Sequence, residues 1–289
     1  MNAGIAYATL AFVMWGLLPL YFQRIASVPP LEVVLHRSAW SLLFVLGLLA
    51  VLRRFGWLRA LAARPRQLVP FGLSALLLSG NWLLYVYAVQ NGHVVEASLG
   101  YFINPIVNVL LGVLVLKERL NRAQWTAVAL AAAGVLWLTF LAGRLPWIAL
   151  VLAGTFGLYG LMRKTASLGA LEGLALETML LAPLVLPLLA WWTLSGHGAL
   201  ARGDLGLDAW LILSGPLTAV PLLLFAAGAR RLPLATVGLI QYVGPTIQLA
   251  LAVWVFHEPF DRARLMGFGL IWSAPALYSA DGWRRSRRH

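Results

Sequence analysis

Residues 101–139 read YFINPIVNVLLGVLVLKERLNRAQWTAVALAAAGVLWLT, and residues 241–279 read QYVGPTIQLALAVWVFHEPFDRARLMGFGLIWSAPALYS. A shift of 140 positions lays one on the other without a gap. Pro105 meets Pro245, Glu118 meets Glu258 and Arg122 meets Arg262. Leu111, Val113, Val115, Ala123 and Leu130 meet Leu251, Val253, Val255, Ala263 and Leu270, and Asn108 meets Gln248, amide for amide. Apolar sequence yields chance identities, but proline, glutamate and arginine are scarce here, so their alignment marks a duplication. In a membrane chain an internal repeat points towards transport.

The membrane assignment rests on composition. Of 289 residues, 61% are apolar and 11% charged, with a mean hydropathy of +0.82. A soluble domain carries about a quarter charged residues. There is no cysteine, so neither a disulfide nor a thiolate metal site is expected. A net charge of +12 raises the question of nucleic acid. The positive residues, however, sit between apolar runs, which is the pattern of membrane orientation. No nucleic-acid partner, metal or cofactor is expected.

A spanning helix needs about 20 mostly apolar residues, because lipid offers no partner to free backbone groups. Ten such runs are predicted, at roughly 3–22, 32–52, 69–89, 95–116, 122–141, 146–162, 172–193, 208–229, 235–256 and 262–280. The first is read as a retained helix and not a signal peptide. Lys and Arg count 16 on one side of this arrangement and five on the other, with Arg37 inside a helix. The bias puts both termini in the cytoplasm. The basic tail ending in Arg284, Arg285, Arg287 and Arg288 also suits contact with membrane lipid.

Five helices per repeat is an odd number, so tandem copies enter the bilayer from opposite sides. The fold expected is an all-α integral membrane protein of ten transmembrane helices in two inverted repeats, residues 1–144 and 145–289. Such halves supply two interchangeable conformations around a midplane site.

Polar residues inside the runs locate that site. Tyr101, Asn104 and Asn108 fall at helical spacing on one face beside Pro105, which leaves the carbonyl of Tyr101 without its helical donor. The second copy offers Gln241, Tyr242, Gly244, Pro245 and Gln248. The expectation is a twofold pair of helices broken near Pro105 and near Gly244–Pro245, lining one cavity. Trp15 and Tyr159, from the first helix of each half, and Asn81, Trp82 and Tyr85 of the third are expected on its wall. For each, helix packing is the plainer alternative.

Arg37 and Glu177 are ionisable groups about two turns inside their helices, where charge is expensive and faces the bundle interior or water. Inversion argues against their pairing, so one is expected in each vestibule as a gate or substrate contact. Glu96 and His36 are further coupling candidates, with His36 and Glu32 expected near the surface and solvated. Glu118 and Arg122 are expected to bridge across a tight turn in which Asn121 and Gln124 resemble a capping box. The Ala- and Gly-rich fifth and tenth helices are read as scaffold or as a homodimer surface. Residues 195–208, polar and glycine-rich, are expected to form a mobile loop.

Taken together, these residues resemble the paired EamA domains of the drug/metabolite transporter superfamily. Asn81-Trp82, the run Glu96-Ala-Ser-Leu-Gly-Tyr-Phe-Ile-Asn-Pro105, Lys-Glu118-Arg-Leu, Trp15-Gly16 and Leu-Glu-x-x-x-His36-Arg37 are similar to the RarD branch. The resemblance spans the whole chain. It implies ten helices, the inner membrane of a bacterium, and export of small metabolites or drugs through a central cavity.

Three functional classes compete. A secondary transporter fits the repeat, and the absence of a GxxxxGK[ST] loop excludes direct drive by ATP. Coupling to protons is open through Glu177, His36 or Glu96. An intramembrane enzyme would need a set such as HExxH or GxSxG, and the sequence holds neither, so no catalytic residue is assigned. A passive channel or structural subunit would not require inverted halves.

Overall fold

The computed structural model describes residues 3–62, 65–90, 94–143, 146–255 and 262–286. Among them it is all-helical: α1 (Ala3–Arg24), α2 (Pro30–Val51), α3 (Gly56–Ala62), α4 (Leu68–Gln90), α5 (Val94–Leu114), α6 (Arg122–Ala142), α7 (Trp147–Thr165), α8 (Ala170–Leu194), α9 (Leu205–Ala229), α10 (Leu234–Ile240), α11 (Val243–Trp254) and α12 (Arg262–Ser286). A 3-10 turn over Pro65–Gln67 leads into α4. Seven helical segments are long and apolar enough to cross a membrane, and Leu99–Leu114 and Leu265–Leu277 are shorter apolar helices. Large apolar side chains such as Leu73, Leu136, Phe140, Leu184 and Leu194 stand exposed on the outside of the bundle. That surface suits lipid, and the chain is a multi-pass membrane protein.

The ninth predicted run is not one helix. It divides into α10 and α11 at Gln241–Tyr242. The break lets Pro245 fall in the first turn of α11, where its missing N–H costs nothing. Pro105, by contrast, sits inside an unbroken α5. The expected pair of broken helices is therefore a single broken helix facing a continuous one.

Helices pack in recurrent pairs: α5 on α7 and α10, α1 on α9 and α11, α2 on α8 and α9, α4 on α7 and α8, and α6 on α12. Among these pairs, α5–α10 and α6–α12 run antiparallel. Tyr242 touches Phe102, Asn108 bonds Gln241, and Glu118 reaches Leu234, so position rises along α5 as it falls along α10. Likewise Asn121 bonds Asp281 and Trp137 bonds the carbonyl of Ala263. Between α6 and α12 a Cβ on Gly134 would lie 2.7 Å from the carbonyl oxygen of Gly267, so only glycine allows this approach. The small faces of α6 and α12 are thus used against each other within the chain.

The turn after α5 departs from expectation in one respect. Asn121 and Gln124 do form a reciprocal capping box, each bond 2.9 Å. Glu118, however, is not seen paired with Arg122. Its two carboxylate oxygens accept from the backbone N–H groups of Leu234 and Ala235, at 2.6 and 3.0 Å. The free amides at the start of α10 outcompete an exposed guanidinium, because they are fixed in place and carry the positive end of the helix dipole. Glu258 and the side chain of Glu96 lie outside the described residues.

Candidate functional site

One cavity is built by α1, α2, α4, α5, α7, α9, α10 and α11. Phe12, Trp15, Pro19 and Phe22 reach it from α1, Asn81, Trp82 and Tyr85 from α4, and Tyr101 from α5. Phe156 of α7, Thr218 and Leu222 of α9, Gln241, and Gly244, Pro245 and Gln248 of α11 complete it. The cavity has a volume of about 140 Å³. The cavity lies towards the end of the bundle where α1 ends and α2 begins.

Among the described lining residues Arg37 is the one charged group. Its Nε donates to Thr218 Oγ1 at 2.9 Å. Its guanidinium lies over the rings of Trp82, 4.8 Å to the centroid, and Phe22, 5.7 Å. Ring faces attract a partly desolvated cation without neutralising it. Among the described residues no carboxylate pairs with it.

The polar wall is fixed by bonds between helices. Asn81 donates from Nδ2 to the carbonyl of Leu152 at 2.8 Å and to Thr155 Oγ1 at 2.9 Å. Gln241 Oε1 accepts from Asn108 Nδ2 at 2.8 Å, and Gln248 Nε2 donates to the carbonyl of Trp15 at 3.2 Å. Gln241, at the C-terminal end of α10, lines the cavity and is held by Asn108 of α5. Tyr85 and Tyr101 meet edge to face at 6.0 Å.

Aromatic rings close the floor. Phe156 and Phe225 stand 5.4 Å apart, Trp15 lies 5.6 Å from each, and Tyr159 stacks on Phe225 at 6.2 Å. Below this layer is a second polar cluster. Arg163, 1% exposed, pairs with Glu177, also 1% exposed, at 3.4 Å. Ser74 donates to the same carboxylate, and Arg163 Nη2 donates to the carbonyl of Ala170 at 3.0 Å. A separate hollow lined by Arg66, Ser74, Met162 and Glu177 opens at this opposite end.

Several predicted wall residues lie elsewhere. Asn104, Asn108, Tyr159 and Tyr242 are buried and do not line the cavity. Tyr159 and Tyr242 belong to the apolar core on either side of it. Asn104 lies one turn before Asn108, turned away from the cavity by the continuous course of α5. Glu32 and His36, expected to be solvated, are fully buried. The segment 195–208 folds back over them: the amide of Ala199 donates to Glu32, and that of Gly198 donates to the carbonyl of Trp192 at 3.0 Å. Trp40 Nε1 donates to His36 Nδ1 at 3.2 Å. Indole only donates, so a neutral His36 carries its proton on Nε2, 3.5 Å from Glu32.

Arg163 and Lys164, which a count of loop charges would take as orienting residues, belong to the last turn of α7. Lys164 reaches the carbonyl of Ala229, the last residue of α9, and that of Leu232 in the turn beyond it. One face of α7 carries Phe156, Tyr159 and Arg163 at helical spacing, and this stride beyond Phe156 was the available signal for Arg163. Thr218, Phe225 and Ser74 carry no comparable signal, each being a single residue in a long apolar run.

The comparisons match this architecture. A family model described as EamA-like transporter family matches residues 2–140. An uncharacterised transporter of Pseudomonas aeruginosa is 46% identical over 100% of this chain and 97% of its own. Uncharacterized transporter YojE of Bacillus subtilis is 45% identical over 99% and 97%. Protein RarD of Escherichia coli is 41% identical over 99% and 96%. A solved crystal structure 18% identical covers 98% of this chain and 99% of its own with a TM-score of 0.71, a likeness of fold. With relatives this similar along its whole length, the chain belongs to the EamA-like transporter family, in its RarD branch.

Proposed function

We propose that the chain is a secondary transporter that moves a small molecule through the Arg37-lined cavity by alternating access between two inverted five-helix halves. The carrying observation is a one-ended cavity within a symmetric packing. Exchanging α1 with α7, α2 with α8, α4 with α9, α5 with α10–α11 and α6 with α12 maps the main helix pairs onto one another. The pair α5–α7 becomes α11–α1, α2–α9 becomes α8–α4, and α1–α9 becomes α7–α4. The antiparallel course of α5 against α10, and of α6 against α12, supports inversion of the halves and ten spans in all. Access is not symmetric: the cavity opens at the Arg37 end, while aromatic rings and the Arg163–Glu177 pair close the other. Rocking one half against the other would exchange these roles. A closed floor does not favour a passive channel.

On this reading both termini lie in the cytoplasm of a bacterial inner membrane and the normal direction is export. One relative of this branch, from Pseudomonas aeruginosa and 33% identical, bears the name chloramphenicol-sensitive protein RarD, so an aromatic drug-sized substrate is a reasonable starting probe. Glu177, at the closed end, is the coupling candidate if protons drive the cycle. Reconstituted protein should show saturable counterflow of its substrate. Flux that rises linearly with concentration and shows no counterflow would replace the transporter with a channel. Uptake indifferent to an imposed pH jump would remove the proton.

A further inference from the structure

Resting on the transport reading, the cavity's charge defines what it takes. We infer that the substrate carries an oxyanion, a carboxylate or a phosphate-like group, on an apolar or aromatic body.

The argument begins with the cost of Arg37. A guanidinium two turns inside a bilayer helix is expensive unless something compensates it. At the closed end, Arg163 has Glu177 and main-chain carbonyls. Arg37 has one hydroxyl, at Thr218, on its Nε, and two ring faces. Its Nη groups make no bond or ion pair among the described residues. The bond to Thr218 and the stack on Trp82 fix the plane of the guanidinium and leave the rest of its fork towards the cavity. A planar fork in that setting matches an oxyanion with two parallel N–H donors.

The rest of the wall agrees. Gln241, Gln248 and Asn81 are already bonded to Asn108 of α5, Trp15 of α1, and Leu152 and Thr155 of α7, and Tyr101 and Tyr85 add hydroxyls. No described wall residue is acidic, so a cation, or the ammonium of a zwitterion, would enter without a counter-charge beside an arginine. The floor of Trp15 and Phe156 takes an apolar or ring-shaped body.

The test uses purified full-length protein in detergent and four ring compounds of one size. These are phenylacetate, phenyl phosphate, phenethyl alcohol and phenethylamine, with affinity read by calorimetry and by thermal shift. At least one of the two anions should bind about ten- to a hundredfold more tightly than the alcohol, the span of a charge-assisted bond, and the amine should bind weakest. Arg37→Gln should erase the preference without lowering the unfolding temperature by more than a few degrees. If that variant misfolds, Arg37→Lys carries the test: charge without a fork should keep part of the preference. Thr218→Val should weaken the preference less than either. Phosphatidylglycerol micelles form a separate arm, because a lipid headgroup offers the same chemistry. Protection by the lipid alone, equal binding of alcohol and anion, tighter binding of the amine, or no binding by any ring compound would each overturn the inference. The transport reading fails separately: a neutral compound showing saturable counterflow would leave it standing while the oxyanion is lost.

Discussion

Two arginines, Arg163 buried and Arg37 half-buried, occupy opposite ends of the bundle and have opposite surroundings. Arg163 is enclosed by Glu177, Ser74 as that carboxylate's second donor, and the carbonyls that open α8. Arg37 has Thr218 and the faces of Trp82 and Phe22, and it looks into an open cavity. The same side chain therefore does two jobs. Where the protein supplies the anion, the arginine closes one end of the bundle. Where the protein withholds it, the charge is left for something that arrives from outside.

The largest effect should come from the enclosed end. Glu177→Ala removes the counter-charge and strands Arg163, which should cost about 3–5 kcal/mol. Thermal unfolding of the purified variant should fall accordingly, and an unchanged midpoint would mean that the pair is hydrated. Gly173→Ala attacks the same pair from the side. A Cβ there would lie 2.2 Å from Arg163 Nη1, and displacing a buried guanidinium should cost about 1–3 kcal/mol. Replacing both partners, Arg163→Met with Glu177→Leu, should recover most of the stability lost in Glu177→Ala, since an apolar pair of similar volume is commonly tolerated.

At the open end the effects should fall on transport more than on stability. Gln241→Ala should lower the initial rate at least tenfold, about 1.4 kcal/mol, while Asn104→Ala stays within about threefold of wild type, a difference under ~1 kcal/mol. Equal losses in the two would mean that the amides act through packing. Smallest of all, Trp82→Leu should weaken substrate binding by about 0.5–1 kcal/mol through loss of the ring under Arg37, read as a modest rise in the half-saturating concentration.

Much of the fold was legible because lipid imposes a simple length and polarity rule on each span. α1, α2, α4, α6, α8 and α9 fall close to their predicted bounds. The repeat around Pro105 and Pro245 also led to the cavity, since Gln241, Gln248, Tyr101 and Pro245 line it. What the sequence hid was direction. A side chain's spacing gives its face on one helix but not the neighbour it meets. Asn104 and Asn108 share a face with Tyr101, yet only Tyr101 reaches the cavity; Asn108 turns into the contact of α5 with α10, and Asn104 is buried away from the cavity. Glu32 and His36 lie at the start of α2, where a solvated reading is natural. Their burial depends on residues 198–199, distant in sequence, folding back over them. Arg163 sat beside Lys164 at the edge of a short apolar run, and only the packing of α7 against α4 carries it inward. The α10–α11 region is interrupted at Gln241–Tyr242 where α5 is continuous, although residues 101–139 and 241–279 align, so matching sequence did not guarantee matching helix geometry.

The reciprocal access of the two ends is the central claim, and the absence of native cysteine makes it directly measurable. Two single-cysteine proteins, Thr218→Cys in the cavity and Met162→Cys in the hollow at the closed end, would be alkylated in oriented vesicles by a maleimide that cannot cross the membrane. Adding Glu177→Gln, which weakens the closed end, should speed modification at Met162→Cys and slow it at Thr218→Cys. Faster modification at both positions, or a change at Met162→Cys alone, would mean that the two ends open independently and would contradict alternating access.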